Sequence, residues 1–154
     1  MGVYGEKAHR LFLAGYNCSQ AVFCAFCEDV GLNETVARAI SSSFGGGMGR
    51  LREVCGALSG AFMILGLKYG GYDPKDQQKK AVHYHRIQEF AALFRQQNGS
   101  IICREMLGLK AGPDSPTPEQ RTLEYYRKRP CPEIVACTAD LLADYIRKLE
   151  KEET

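Results

Sequence analysis

The 154-residue sequence predicts an all-α protein, a single helical domain over residues 1–154 built as a multi-helix bundle. Three observations lead there. No segment alternates apolar and polar residues as a half-buried strand does, and no hairpin turn is signalled. Nearly every segment has a recognisable helix start and stop. Two segments are apolar on almost every side, the pattern of central helices that bury their whole circumference.

The first helix is expected from about Tyr4 to Ala14, stopped by Gly15. Asn17 then caps a second helix, with Gln20 completing the capping box and Gly31 at its end. Ala21, Val22, Phe23, Cys24, Ala25, Phe26 and Cys27 make this helix apolar all round. Asn33 caps a third helix that runs into Gly45. The fourth, also almost wholly apolar, is expected from near Glu53 to Tyr69, before Gly70 and Gly71. Asp73-Pro74 reads as a cap with proline at the first helical position, opening a long helix to about Asn98. Its inward face reads Tyr84, Ile87, Ala91 and Phe94. Ser100 caps a short helix from Ile101 to Leu107, and the stretch AGPDSPTP is a loop. Thr117-Pro118-Glu119-Gln120 opens a helix to about Lys128. After Pro130 and Pro132 the last helix carries Ile134, Cys137, Leu141, Tyr145 and Leu149 on one stripe.

Composition excludes several functions. A net charge of +2, with no basic run interleaved with aromatics, argues against nucleic acid as a partner. The start MGVYGEKAHRLFLAG has neither the basic and apolar regions of a signal peptide nor a hydroxyl residue at position 6 for myristoylation. The most apolar stretch, Val54 to Leu67, is too short to span a bilayer, so no membrane role is expected and the chain is read as cytoplasmic. In that compartment seven cysteines point to metal, redox or catalytic use rather than a disulfide framework.

The helix map divides those cysteines. Cys18 follows the cap Asn17, Cys55 lies just after a glycine run, Cys103 follows Ser100, and Cys131 stands between Pro130 and Pro132. Each therefore falls at a helix start, where unpaired N–H groups and the helix dipole favour thiolate over thiol. Cys18, Cys55, Cys103 and Cys131 are the candidate catalytic thiols and, alternatively, candidate metal ligands. They are expected to converge although they are far apart in sequence. Cys24, Cys27 and Cys137 sit mid-helix among apolar residues and read as core positions, despite the C-x-x-C spacing of Cys24 and Cys27.

Cys55 is expected to be the most reactive thiol. The stretch GGGMGRLREVCGALSG gives its backbone room, and Arg50 and Arg52 add positive charge to the helix dipole. Together these terms could lower a thiol from about 8.5 toward about 7, with burial against Ala57 and Leu58 opposing. Arg104 stands similarly beside Cys103. Gly46, Gly47, Gly49 and Gly56 allow close backbone approach and are candidate cofactor-contacting positions, or they serve tight helix packing. A dinucleotide fingerprint is absent, since no strand precedes the run and Arg52 replaces the last glycine; a phosphate-binding nest stays open. His83 and His85 point to opposite sides of one helix and His9 has no partner in view, so no histidine metal pair is read. No nucleophile elbow, paired-carboxylate arrangement or H-E-x-x-H motif occurs.

These residues resemble the redox-active proteins named for their cysteine pattern, C_GCAxxG_C_C. The likeness covers Gly15-Tyr16-Asn17-Cys18-Ser19-Gln20-Ala21-Val22, the run Gly45 to Gly49, Val54 to Gly60, Leu65 to Gly70, Cys103-Arg104-Glu105 as the third marker cysteine, and Cys131 as the fourth. One departure is that the family label sets glycine before the second cysteine, where this chain reads Cys55-Gly56-Ala57. The resemblance implies a helical, cysteine-dependent redox protein and supplies no substrate. Three functions follow: dithiol/disulfide exchange with an unidentified redox partner protein or small thiol, an iron–sulfur cluster or metal ion held by the four cysteines, or a helical interaction module whose cysteines are incidental.

Overall fold

A computed structural model describes residues 1–153. Eight helices form among them: α1 (Val3–Leu13), α2 (Cys18–Ala25), α3 (Glu34–Ser41), α4 (Gly56–Tyr69), α5 (Gln77–Asn98), α6 (Cys103–Met106), α7 (Leu123–Lys128) and α8 (Cys131–Glu153). No strand is present among the described residues. One isolated antiparallel bridge joins Val54 to Ile102.

The capping chemistry acts as the sequence reading expects at α2 and α3. The Asn17 side chain accepts from the Gln20 N–H at 2.9 Å, and the Gln20 side chain accepts from the Asn17 N–H at 3.0 Å. Asn33 caps α3 through the Thr35 N–H. Helix α1 has Gly2 at its cap and takes its acceptor from elsewhere: the Asp140 carboxylate of α8 accepts from Gly2 and Gly5 at 2.8 and 2.7 Å. That contact locks α1 along α8.

The two apolar helices are central. In α2, Ser19 and the run from Ala21 to Ala25 are buried; in α4, every residue from Gly56 to Ala61 is buried. One core joins them to Phe12 of α1, Phe90 and Phe94 of α5, and Val135, Leu142 and Leu149 of α8. Close packing of α2 on α4 needs Gly60, where a Cβ would stand 2.7 Å from the Ser19 carbonyl oxygen.

Several expected boundaries move. Helix α2 ends at Ala25, and the chain from Phe26 to Gly31 continues in tighter turns, such as the Cys27 N–H to Cys24 carbonyl bond. Phe26 there stacks on Tyr4. Helix α4 starts at Gly56, because the residues before it are drawn into the bridge with Ile102. Asp73-Pro74 does not open α5; Asp76 does, accepting from the Lys79 N–H at 3.0 Å. The residues from Thr117 to Arg121 are not helical. Thr122 caps α7 instead, accepting from the Tyr125 N–H at 3.2 Å. On α5, Tyr84 is exposed and Phe90 takes the inward place. No helix among the described residues is long and apolar enough to cross a membrane.

Candidate functional site

The glycine run is a left-handed turn. Gly46, Gly47 and Gly49 have φ of +69°, +68° and +59°, and Met48, Arg50 and Arg52 share the sign at +69°, +68° and +60°. The turn is closed by hydrogen bonds from Gly49 N–H to the Gly45 carbonyl and from Glu53 N–H to the Gly47 carbonyl, both 2.9 Å. L-residues resist this hand by roughly 1–2 kcal/mol each, so three glycines among the residues concerned limit the cost.

The left-handed turn delivers the chain into a short clasp. Around the Val54–Ile102 bridge, the Cys55 N–H donates to the Ile101 carbonyl at 2.9 Å and the Cys103 N–H to the Glu53 carbonyl at 2.6 Å. Two cysteines distant in sequence thereby stand on neighbouring segments. Cys18 reaches them from α2 because Gly56 has no side chain: a Cβ there would lie 2.4 Å from the Cys18 sulfur. Cys131 enters as the first residue of α8.

Cys18, Cys55, Cys103 and Cys131 all line one cleft of about 280 Å³, with Gly45, Gly46, Gly49 and Gly56 among its walls. Gly47 stands behind it, where a Cβ would be 2.6 Å from the Cys103 Cβ. Cys18, Cys103 and Cys131 begin α2, α6 and α8, and Cys55 is the N-cap of α4. All seven cysteines are free thiols.

Burial governs three of the four. It pushes the Cys55 thiol well up, reinforced by the neighbouring Cys18, and the N–H groups of Ala57 and Leu58 do not offset it. Burial raises Cys18 too, against the pull of the Gly46 N–H. It takes Cys131 up to about 12, with Cys18 and Cys103 adding to the shift. The expectation that Cys55 is acidified is therefore corrected. Desolvation outweighs the helix dipole, and Arg50 and Arg52, in the same cleft, are engaged with Asp114 and Cys103.

Arg52 turns to Cys103. It is buried, its guanidinium donates to the Cys103 sulfur at 3.6 Å and to the Asp114 carboxylate at 3.0 Å. Burial opposes its charge, but Cys103 and Asp114 more than compensate and hold it above the ordinary arginine value. Arg50 also meets Asp114, at 3.7 Å. Arg104 points away from the thiols, pairing with Glu53 at 3.2 Å and donating to the Arg52 carbonyl at 3.0 Å.

Cys24 and Cys27 lie in the core, and burial takes Cys24 up to about 11. Cys137 corrects its expected core place: it is exposed. His85 pairs with Glu89 at 3.4 Å, and His83 lies half-buried. Among the described residues no three His, Cys, Asp or Glu side chains are arranged to hold a metal ion. The four-thiolate reading has no such ligand set to rest on among the described residues.

The profile of the family described as "Putative redox-active protein (C_GCAxxG_C_C)" matches residues 16–145. The chain belongs to this family. All four cleft cysteines fall within the matched span, and the family's description supports a redox role in general. Neither the curated proteins nor the solved structures contain a match.

The cleft also holds residues that sequence reading missed. Arg121, Arg129, Glu119 and Tyr125 line it beside Pro116 and Pro118. Arg121 lies 4.0 Å over the Phe12 ring and donates to the Phe12 carbonyl and, at 2.7 Å, to the Tyr16 carbonyl. Arg129 pairs with Glu119 at 2.6 Å. No local pattern marks them, because the segment that carries most of them is a loop whose path is set by distant contacts.

Proposed function

We propose that the cleft carries out thiol–disulfide exchange, with Cys103 as the attacking sulfur and Cys18 as the resolving one. The observation that carries this reading is the Arg52 guanidinium at the Cys103 sulfur, inside a cleft where burial raises the other three thiols. A cation at hydrogen-bond range favours the thiolate, which is the nucleophilic form. The Cys103 N–H is spent on the Glu53 carbonyl, and the arginine is the group that reaches the sulfur.

In the first step the Cys103 thiolate attacks one sulfur of a substrate disulfide. A Cys103–substrate bond forms, the substrate S–S bond breaks, and the second substrate sulfur leaves as thiolate. That thiolate takes the Cys18 proton. The Cys18 sulfur then attacks Cys103, forming the Cys18–Cys103 disulfide and releasing the remaining substrate thiolate, which takes a proton from water. The substrate disulfide gains two electrons and the protein dithiol loses two. Cys18 suits resolution because the missing Gly56 side chain lets its sulfur enter the cleft, and its charge is coupled to that of Cys103. Free thiols used this way suit a reducing compartment such as the cytoplasm.

The test is alkylation of the reduced protein at about pH 7, read at each cysteine by mass spectrometry, with Cys103→Ser and Arg52→Gln variants. Cys103 is expected to react faster than Cys18, Cys55 and Cys131, and to slow several-fold in Arg52→Gln, which removes the cation at its sulfur. Oxidised protein should yield a Cys18–Cys103 linked peptide. A purified protein with a visible thiolate-to-iron absorption band, or a Cys103 no faster than Cys55, would overturn the reading.

A further inference from the structure

We infer that the substrate is a small anionic disulfide, one carrying carboxylates near its sulfurs. This inference rests on the exchange reading above and adds the chemistry of what is exchanged.

Four guanidinium groups line the cleft: Arg50, Arg52, Arg121 and Arg129. Among the described residues they meet two carboxylates. Arg50 and Arg52 share Asp114, at 3.7 and 3.0 Å, and Arg129 takes Glu119 at 2.6 Å. The Cys103 sulfur draws on Arg52 as well. Arg121 is held by carbonyl oxygens and an aromatic face, which are dipoles and not counter-charges. A guanidinium has five N–H donors in a planar fork that fits a carboxylate, and these contacts leave part of that fork free. The positive excess extends through the cleft: Glu119 is held below the usual carboxylate range first by Arg129, and Arg50 and Arg52 contribute. In a partly desolvated cleft such an excess is worth more than on an open surface, and it favours an incoming anion.

The size limit comes from the loop that forms one wall of the cleft. Arg50 donates to the Ser115 carbonyl at 2.5 Å and accepts from the Asp114 N–H at 2.9 Å, and the Arg129–Glu119 pair ties the far side. Pro116 and Pro118 lie between these ties. With Cys55 and Cys103 only 8% and 7% exposed, a disulfide on the surface of a folded protein does not reach them behind this wall. A low-molecular-weight disulfide fits.

When Cys103 enters the mixed disulfide its negative charge disappears. Arg52 then loses one of its two partners, and the carboxylate of the bound half-substrate replaces it. The same arginine thus serves the free thiolate and the adduct.

The test compares three disulfides of similar size on the full chain: 3,3′-dithiodipropionate with two carboxylates, 2-hydroxyethyl disulfide without charge, and cystamine with two ammonium groups. Each rate of adduct formation at Cys103 is divided by its rate with free dithiothreitol, to remove intrinsic reactivity. The dicarboxylate is expected to exceed the diamine by about tenfold or more, with the ratio shrinking in high salt. Arg121→Gln should reduce the ratio and Arg121→Lys should retain most of it. A wild-type ratio near one, or reversed, overturns the inference even where the variants fail to fold. Failure of all three disulfides to oxidise Cys103, whether to an adduct or to the Cys18–Cys103 disulfide, would overturn the exchange reading instead.

Discussion

Cys137 and Cys24 carry similar apolar neighbours in sequence and end in opposite environments. The inward stripe of α8 holds Val135, Ala136, Thr138, Ala139, Leu142, Tyr145, Ile146 and Leu149. Its centre is turned by about one residue, roughly 100° of helix, from the stripe of Ile134, Cys137, Leu141, Tyr145 and Leu149 that apolar spacing suggests, of which Tyr145 and Leu149 stay buried. The turn has a local cause: Asp140 must face α1 to accept from Gly2 and Gly5, which fixes the rotation of α8 and sends Cys137 outward. A small alkylating reagent should therefore label Cys137 early through access alone, while Cys24, 2% exposed, stays protected until the protein unfolds. Peptide mapping over time checks this, and fast labelling of Cys24 in the folded protein would contradict the described core. At Cys55 the competition is between helix dipole and burial. The dipole supplies about 0.3–1 kcal/mol, less than the penalty for charging a sulfur with almost no contact with water.

At the scale of the element, the left-handed turn from Gly46 to Arg52 decides whether the cleft exists. Adding a Cβ at Gly47 would set it 2.6 Å from the Cys103 Cβ and 2.8 Å from the Arg52 Cα, in a backbone conformation that already disfavours side chains. Gly47→Ala should destabilise by about 2 kcal/mol or more, from overpacking and strain together. It should also slow Cys103 alkylation, since Arg52 and Cys103 flank the clash. Met48→Gly should do the reverse for stability. It relieves a positive φ worth roughly 1–2 kcal/mol, against about 0.5–1 kcal/mol of glycine entropy, for a net gain of up to about 1 kcal/mol. Denaturant midpoints of the two variants measure both signs; a stabilised Gly47→Ala protein would mean the turn is not formed as described.

Across the whole molecule, buried thiols couple folding to pH. Burial raises Cys24 from 9.0 to about 11 and Cys131 from 9.0 to about 12, and it raises Cys18, Cys27 and Cys55 as well. The folded chain keeps protons that the unfolded chain releases above about pH 9. Stability is therefore complete below that value and falls as pH rises toward the folded values. One well-buried thiol such as Cys24 contributes a loss of about 1 kcal/mol between about pH 9 and pH 10. Urea unfolding under reducing, anaerobic conditions should show a lower midpoint at about pH 10 than at about pH 8, and Cys24→Ala should shrink the difference. Equal midpoints would be incompatible with the burial described.

The sequence by itself determined the helices, their strongest caps and the positions of the four thiols at helix starts. Those properties depend on residues within a turn or two of each other: Asn17 with Gln20 at α2, the apolar run of Gly56 to Leu67 in α4, and proline before Cys131 in α8. Weaker boundaries slipped where a later residue offered a better cap, as Asp76 did over Asp73 and Thr122 over Thr117. Tertiary structure alone decided which charges reach which sulfur. Arg52 lies three residues before Cys55, yet left-handed backbone and the Val54–Ile102 clasp aim it at Cys103, 51 positions away. Arg121 and Arg129 join the cleft through a loop with no helical period to read. Desolvation, which overrode the dipole at Cys55, depends on everything packed around an atom, and no local stretch of chain encodes that sum.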